Sequence, residues 1–126
     1  MYLADTNIFL EVLLAQEKSK ECKDFLEENL GELAISDFSL HSIGVILFRN
    51  KKENVFIQFV NDVLAKLELQ TLGNESYRGL SGISTEFKLD FDDAYQVQVA
   101  QENSLTIVTM DRDFDKVKSS LPIVFL

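Results

Sequence analysis

Cysteine and proline are almost absent from this chain, and each absence excludes a class of protein. The 126 residues contain one cysteine, Cys22, and one proline, Pro122. A single cysteine cannot form an intramolecular disulfide and excludes a cysteine-rich zinc site, so we expect a reducing, intracellular setting. With one proline and five scattered glycines, no linker or low-complexity stretch divides the chain. Residues 1–126 are therefore predicted to form a single domain.

Long apolar runs and an excess of positive charge are also lacking. No apolar run approaches the roughly 20 residues of a membrane span, and the N-terminus runs into Asp5 without the basic segment of an export signal. We therefore expect a soluble, cytoplasmic protein with no membrane partner. Lys and Arg total 12 against 21 Asp and Glu, a net charge of -9, which excludes the broad basic surface that holds duplex DNA by its phosphates. Any activity on nucleic acid must come from a localised site.

The chain does contain short apolar runs that alternate with amphipathic stretches, and 46% of its residues are hydrophobic. Strands are predicted at residues 2–4, 33–35, 105–109 and 123–126, with 69–72 as a candidate fifth. Helical periodicity predicts helices over residues 8–13, 19–30, 40–47, 55–69, 77–87 and 94–100. Because the strands are continuously apolar, we predict an α/β fold in which helices cover both faces of a mostly parallel sheet. The ten Phe residues are predicted to be core rather than a surface for stacking bases.

Acidic residues directly follow three of the predicted strands. They are Asp5, Asp37 and Asp111. Functional sites in parallel sheets lie at the carboxyl ends of the strands. If the first strand and the strand at 105–109 are neighbours, Asp5 and Asp111 meet at the same edge. Taken alone, Asp5 is better explained as a helix cap, because Asp after a strand is most often that.

A further acid, Asp93, is predicted to join this edge from a helix. The helical step of about 100° places Asp93 between Val97 and Ala100 on the face that packs on the sheet, while Asp92 and Gln96 are predicted to point elsewhere. A carboxylate in the first turn of a helix can be stabilised by the helix dipole or by a cation. Convergence with the strand-end acids favours the cation.

Three converging carboxylates repel one another unless they share a cation, a proton or basic partners. No Lys or Arg precedes Asp93 more closely than Lys88, and none follows Asp5 before Lys18. A divalent metal is the simpler solution, and oxygen ligands suit Mg²⁺ or Mn²⁺. Such ions activate water and offset the charge that develops on a phosphodiester. The sequence therefore predicts metal-assisted phosphodiester hydrolysis, with Asp5, Asp93 and Asp111 as the catalytic residues.

Four segments of the chain carry a family resemblance, in the order and spacing of that family. They are Leu3-Ala4-Asp5-Thr6-Asn7, Ser36-Asp37-Phe38-Ser39-Leu40-His41-Ser42, Asp92-Asp93-Ala94 and Val108-Thr109-Met110-Asp111-Arg112-Asp113-Phe114. Together they resemble PIN domains, small ribonuclease domains that include the VapC-type toxins of toxin-antitoxin pairs. The resemblance implies a three-layer α/β/α fold, Mg²⁺ or Mn²⁺ as cofactor and single-stranded RNA as substrate. It also implies a homodimer, and for a toxin a small antitoxin protein that covers the acidic site.

The resemblance also assigns roles to individual residues. It implies metal-binding acids at Asp5, Asp93 and Asp111, with Asp113 as a ligand or a water-mediated neighbour. Asn7 and Thr109 resemble the polar residues that orient the first carboxylate.

The chain departs from the family pattern at Ser42. The family usually has an acid at this place in the helix after the second strand, and serine cannot be an anionic ligand. Three explanations stay open: the ion binds more weakly, Asp37 substitutes from the start of the helix, or nuclease activity has been lost. In the last case the chain would be an inactive PIN-like binding or scaffold domain.

Overall fold

The computed structural model describes residues 1–126, which form five strands and seven α-helices. The strands are β1 (Tyr2–Ala4), β2 (Leu33–Ser36), β3 (Glu68–Gln70), β4 (Thr106–Thr109) and β5 (Ile123–Phe125). The helices are α1 (Thr6–Leu13), α2 (Ser19–Glu28), α3 (Asp37–Arg49), α4 (Glu53–Asp62), α5 (Asn74–Tyr77), α6 (Leu80–Phe87) and α7 (Phe91–Asn103). Short 3-10 turns lie at Leu30–Glu32, Leu64–Lys66 and Arg112–Val117.

All five strands belong to one parallel sheet with the order β3-β2-β1-β4-β5. In the central register, Leu3 of β1 lies opposite Ala34 of β2 on one side and Ile107 of β4 on the other. The chain steps outward from β1 to β3 and then crosses to β4 on the far side of β1. The strand order therefore reverses between β1 and β4, and this reversal leaves a crevice at their carboxyl ends.

Alternate residues of the central strands face two separate apolar cores. Leu3, Ala34 and Ile107 contribute to one core, which includes residues of α6 and α7. Ala4, Ile35 and Val108 contribute to the other, which includes residues of α1, α2, α3 and α4. Burial on both faces explains why these strands are continuously apolar. The predicted three-layer α/β/α fold with a parallel sheet is confirmed.

The prediction of one helix over residues 55–69 is wrong beyond Asp62, where α4 ends. Val63 and Leu64 still pack against the core that α1–α4 share, but Val63 does so from the end of α4 and Leu64 from the 3-10 turn that follows. The helical period therefore continues after the α-helix has stopped. Residues 68–70 form the edge strand β3, which is mostly exposed and lacks the buried apolar pattern of an inner strand.

None of the helices combines the length and the apolar composition that crossing a membrane requires.

Candidate metal centre

Asp5 is held rigidly at the carboxyl end of β1. Its backbone N–H donates to Val108 O at 2.9 Å, which extends the pairing of β1 with β4. Its side chain is only 8% exposed, and Oδ1 accepts from Thr6 N at 2.9 Å and from Gln96 Nε2 at 3.2 Å. Oδ2 accepts from Thr109 Oγ1 at 2.9 Å. Asp5 is thus both the N-cap of α1 and a fixed carboxylate at the sheet edge.

Burial raises the pKa of Asp5, and the hydrogen bonds from Gln96, Thr109 and Thr6 oppose that rise. Loss of solvent disfavours the charged form, whereas donors to the carboxylate favour it. The three donors therefore compensate in part for taking this carboxylate out of water.

Asp93 reaches the same edge from the first turn of α7. The helix begins at Phe91, after Asp90 as N-cap, and Asp93 is partly buried. Burial is the main cause that raises the pKa of Asp93 to about 7, and the negative charges of Asp111 and Asp5 raise it further. Asp93 therefore ionises less readily than an exposed aspartate, mainly because it is removed from water and secondarily because other carboxylates lie close to it.

Asp111 follows β4 and caps the 3-10 turn that comes next. Its Oδ1 accepts from Asp113 N at 2.9 Å, and its own N–H donates to Thr109 Oγ1 at 2.9 Å. The Thr109 hydroxyl, which donates to Asp5, therefore ties the two strand-end acids together. One oxygen from each of Asp93, Asp111 and Asp113 lies within 4.8 Å of the others.

Asp5, Asp93 and Asp111 line one cleft of about 230 Å³, the acidic cleft. Its other lining residues are Thr6, Asn7, Phe38, Ser42, Ile46, Asp92 and Gln96. No Lys or Arg is among them, so no side-chain cation lines the cleft. Asp113, which lies outside this lining, has Lys116 Nζ 4.0 Å from its Oδ1 at the exposed edge of the site. Clustered carboxylate oxygens of this kind are the ligands that Mg²⁺ and Mn²⁺ prefer. The donor set therefore fits a hard divalent cation held by Asp93, Asp111 and Asp113, with Asp5 beside them in the cleft.

The alternative that Asp37 replaces the acid missing at Ser42 does not agree with the structure. Ser42 lines the acidic cleft, but Asp37 does not. Asp37 Oδ1 instead accepts from Tyr95 OH at 2.6 Å and from Phe38 N at 2.9 Å. Five residues along α3 correspond to a rotation of about 140°, so Asp37 and Ser42 face different directions.

The prediction that Gln96 points elsewhere is wrong. Gln96 is 2% exposed, and its Nε2 donates to Asp5 Oδ1 and, at 2.8 Å, to Ser39 Oγ. Its Oε1 is buried without a partner. The spacing along the sequence could have predicted this position of Gln96. A residue three positions after Asp93 lies only about 60° away from it around a helix.

Of the two residues expected to orient Asp5, one makes the contact. Thr109 is fully buried and donates to the carboxylate. Asn7 is exposed on the lining of the acidic cleft, and Gln96 makes the second side-chain hydrogen bond instead.

A parallel α/β sheet with carboxylates gathered where its strand order reverses defines a class of metal-site α/β domains. Within that class the chain matches the PIN domain over residues 2–119. The chain belongs to the PIN domain family. Among curated proteins, none matches the sequence.

Solved structures with the same fold include toxins from bacterial toxin-antitoxin systems. The chain is similar to a chain of a toxin-antitoxin complex from Klebsiella pneumoniae, with 24% identity, a TM-score of 0.77 and coverage of 98% of this chain and 96% of that one. For VapBC2 of Rickettsia felis, bound to a DNA fragment from its promoter, the identity is 19%, the TM-score 0.79 and the coverage 99% and 98%. VapC20 of Mycobacterium tuberculosis is described as a toxin that cleaves the sarcin-ricin loop. Its identity to this chain is 12% and the TM-score is 0.77, with coverage of 96% of each chain.

Proposed function

We propose that this protein is a metal-dependent endoribonuclease that hydrolyses phosphodiester bonds of single-stranded RNA. The observation that carries the proposal is the convergence of Asp5, Asp93 and Asp111 on one cleft that contains no Lys or Arg. Membership of the PIN domain family supports the same chemistry. Single-stranded RNA suits a chain of net charge -9, because such a strand can be bound at a localised site rather than on a broad basic surface.

The side chains divide into ligands and positioning groups. Asp93, Asp111 and Asp113 would hold Mg²⁺ or Mn²⁺, since their oxygens already lie close together. When bound, the ion supplies an activated water and offsets the charge that develops on the phosphodiester. The Thr109 hydroxyl donates to the Asp5 carboxylate and accepts from the backbone N–H of Asp111, and so fixes Asp5 relative to Asp111. This fixed pair keeps the carboxylates in place, so little reorganisation is needed when charge develops.

The test is cleavage of a labelled single-stranded RNA with Mn²⁺ or Mg²⁺, set against chelator and the Asp93→Asn variant. Cleavage that depends on metal and disappears in Asp93→Asn is expected. Asp90→Asn is a matched control on the same helix, because Asp90 is exposed and its side chain makes no capping hydrogen bond. Cleavage by Asp93→Asn as fast as by the parent would refute the assignment. If the folded protein, free of any partner, cleaves no RNA under any of these conditions, the result would favour the inactive binding domain.

We also propose that the protein is the toxin of a toxin-antitoxin pair. The similar structures from Klebsiella pneumoniae and Rickettsia felis come from toxin-antitoxin complexes. A small antitoxin that presents an arginine to the acidic cleft would neutralise Asp93 and Asp111, because guanidinium groups pair with carboxylates in a bidentate manner. Copurification of the native protein should yield such a partner, and recovery of the chain alone would count against it.

A homodimer in the cytoplasm completes the proposal. Ile57 and Leu69 are apolar side chains that are 55% and 49% exposed, as a surface that pairs with a second copy requires. Covering such side chains is favourable. The buried free thiol of Cys22 suits a reducing compartment. Light scattering of the purified chain should give twice the monomer mass, and the monomer mass at high concentration would exclude the dimer.

A further inference from the structure

A second cavity lies beside the acidic cleft and is walled by aromatic rings. This aromatic pocket has a volume of about 350 Å³ and is lined by Asp37, Phe38, His41, Tyr77, Phe91 and Tyr95. Phe38 also lines the acidic cleft. The two cavities therefore share a wall. An extended polymer bound in one cavity can continue directly into the other.

Two of the four aromatic rings that line the aromatic pocket are largely exposed to solvent. Phe91 is 57% and Tyr77 46% exposed, whereas Tyr95 is 2% exposed and lies at the base. The ring centroids of Phe38, Tyr77 and Phe91 lie 5.9, 5.9 and 6.3 Å from that of Tyr95. Helix packing thus fixes the base of the pocket and leaves about half of the surface of Phe91 and Tyr77 open to solvent. Exposed aromatic rings bind planar bases by stacking.

Two polar side chains, Asp37 and the exposed His41, line the aromatic pocket beside its rings, and Asp37 is the one that the fold holds in place. Asp37 Oδ1 accepts from Tyr95 OH and Phe38 N, while Oδ2 makes no hydrogen bond within the chain. Tyr95 OH in turn accepts from Leu72 N at 3.3 Å, so its own proton is available to Asp37. Burial, and then the bond to Asp37, raise the pKa of Tyr95 above its ordinary value. Asp37 is therefore held in one orientation with a free acceptor oxygen.

We propose that the aromatic pocket binds an unpaired nucleobase of the RNA strand whose phosphodiester lies in the acidic cleft, and that it prefers guanine. Stacking on Phe91 and Tyr77 accepts any base, but the Asp37 carboxylate accepts hydrogen bonds and donates none, so it favours a base edge that carries donors. The Watson–Crick edge of guanine offers two adjacent N–H donors, and the free Oδ2 of Asp37 has two lone pairs to accept them. Adenine and cytosine offer one donor beside an acceptor, and the single donor of uracil lies between two carbonyls that a carboxylate repels.

This inference rests on the proposed ribonuclease function, so a test that needs no cleavage comes first. Guanosine, adenosine, cytidine and uridine are neutral and can be titrated in chelator while NMR follows the rings of Phe91 and Tyr77. Saturating shifts are expected with guanosine at a Kd at least five times lower than with uridine. In Asp37→Asn, which replaces the acceptor by an amide, that ratio should fall to about one. The proposal would be overturned if, in the parent protein, guanosine and uridine bound with equal Kd or if no nucleoside shifted the NMR signals of Phe91 and Tyr77.

Cleavage supplies the second test, with RNA that is randomised on either side of the scissile bond. Guanine should be enriched at one position, and Phe91→Leu should lower kcat/KM about tenfold while leaving Mn²⁺ affinity unchanged. Tyr77→Leu, from a different helix, should act in the same direction. Phe48→Leu is the matched control, because Phe48 is 52% exposed and lies outside the aromatic pocket.

The two proposals fail in distinguishable ways. If RNA is cleaved without base preference and guanosine causes no shifts, the pocket assignment is wrong and the nuclease stands. If guanosine saturates the rings and no RNA is cleaved, the nuclease is wrong and the pocket remains a nucleobase site.

Discussion

Replacing Asp93 with Asn should stabilise the metal-free protein, although it removes a proposed metal ligand. The pKa of Asp93 is raised from 3.8 to about 7 by burial and by the charges of Asp111 and Asp5. The unfolded chain therefore releases this proton at lower pH than the folded chain. Stability is lost as the pH rises from about 4 to about 7, and the whole cost is present above that range.

The size of the effect follows from the pKa. A rise from 3.8 to about 7 would correspond to about 4 kcal/mol for a fully buried group. Asp93 is only partly buried, and solvent screening reduces this to about 1–2 kcal/mol. Asn has the same shape without the charge, so Asp93→Asn should recover that amount at about pH 8 and less than half of it at about pH 5.

Urea unfolding in chelator at these two pH values measures the difference. Asp90→Asn removes an exposed charge from the same helix and should change stability by less than about 0.5 kcal/mol. Adding Mn²⁺ should reverse the order of stability, because the parent keeps all three carboxylate ligands and gains more binding energy from the ion than the variant. A variant equal to or less stable than the parent in chelator at about pH 8 would show that the carboxylates do not repel one another as the geometry indicates.

Three further substitutions test the surroundings of the acidic cleft and the aromatic pocket. Thr109→Val removes a buried donor to Asp5 and should cost about 1–3 kcal/mol in urea unfolding, with weaker Mn²⁺ binding by calorimetry; unchanged values would remove Thr109 from its positioning role. Ser42→Glu adds a carboxylate to the acidic cleft and should tighten Mn²⁺ binding about tenfold while lowering metal-free stability, and an unchanged affinity would mean that position 42 does not reach the ion. Tyr95→Phe removes the donor to Asp37 and should cost about 1 kcal/mol in thermal unfolding, whereas a neutral result would show that this bond does not hold the carboxylate.

Much of the fold could be predicted because its central strands are buried on both faces. The runs at residues 2–4, 33–35 and 105–109 have no polar alternation, and this property is specific to sheets covered by two helical layers. The convergence of Asp5 and Asp111 follows from parallel pairing of β1 with β4. The position of Asp93 follows from the face it shares with Val97 and Ala100 on α7.

The missed features are those in which side-chain polarity and burial disagree. Hydrophobic periodicity assigns polar residues to the surface, but Gln96 is buried because its partners Asp5 and Ser39 come from distant parts of the chain. The same rule assigns Phe to the core, but Phe91 is mostly exposed at the start of α7. Strand β3 lies at the edge of the sheet, so it carries no continuous apolar run. Local sequence does not contain the long-range contacts that decide these cases.

The neighbouring positions of β1 and β4 in the sheet have a consequence for protein synthesis. Asp5 precedes Thr109 by 104 residues along the chain. A nascent chain that ends before β4 therefore cannot bring Asp5 and Asp111 together, since β4 has no counterpart earlier in the sequence. If the protein is a toxin, the acidic cleft does not form until β4 has been synthesised and has paired with β1. A cotranslated inhibitor is then needed only from that stage of synthesis onward.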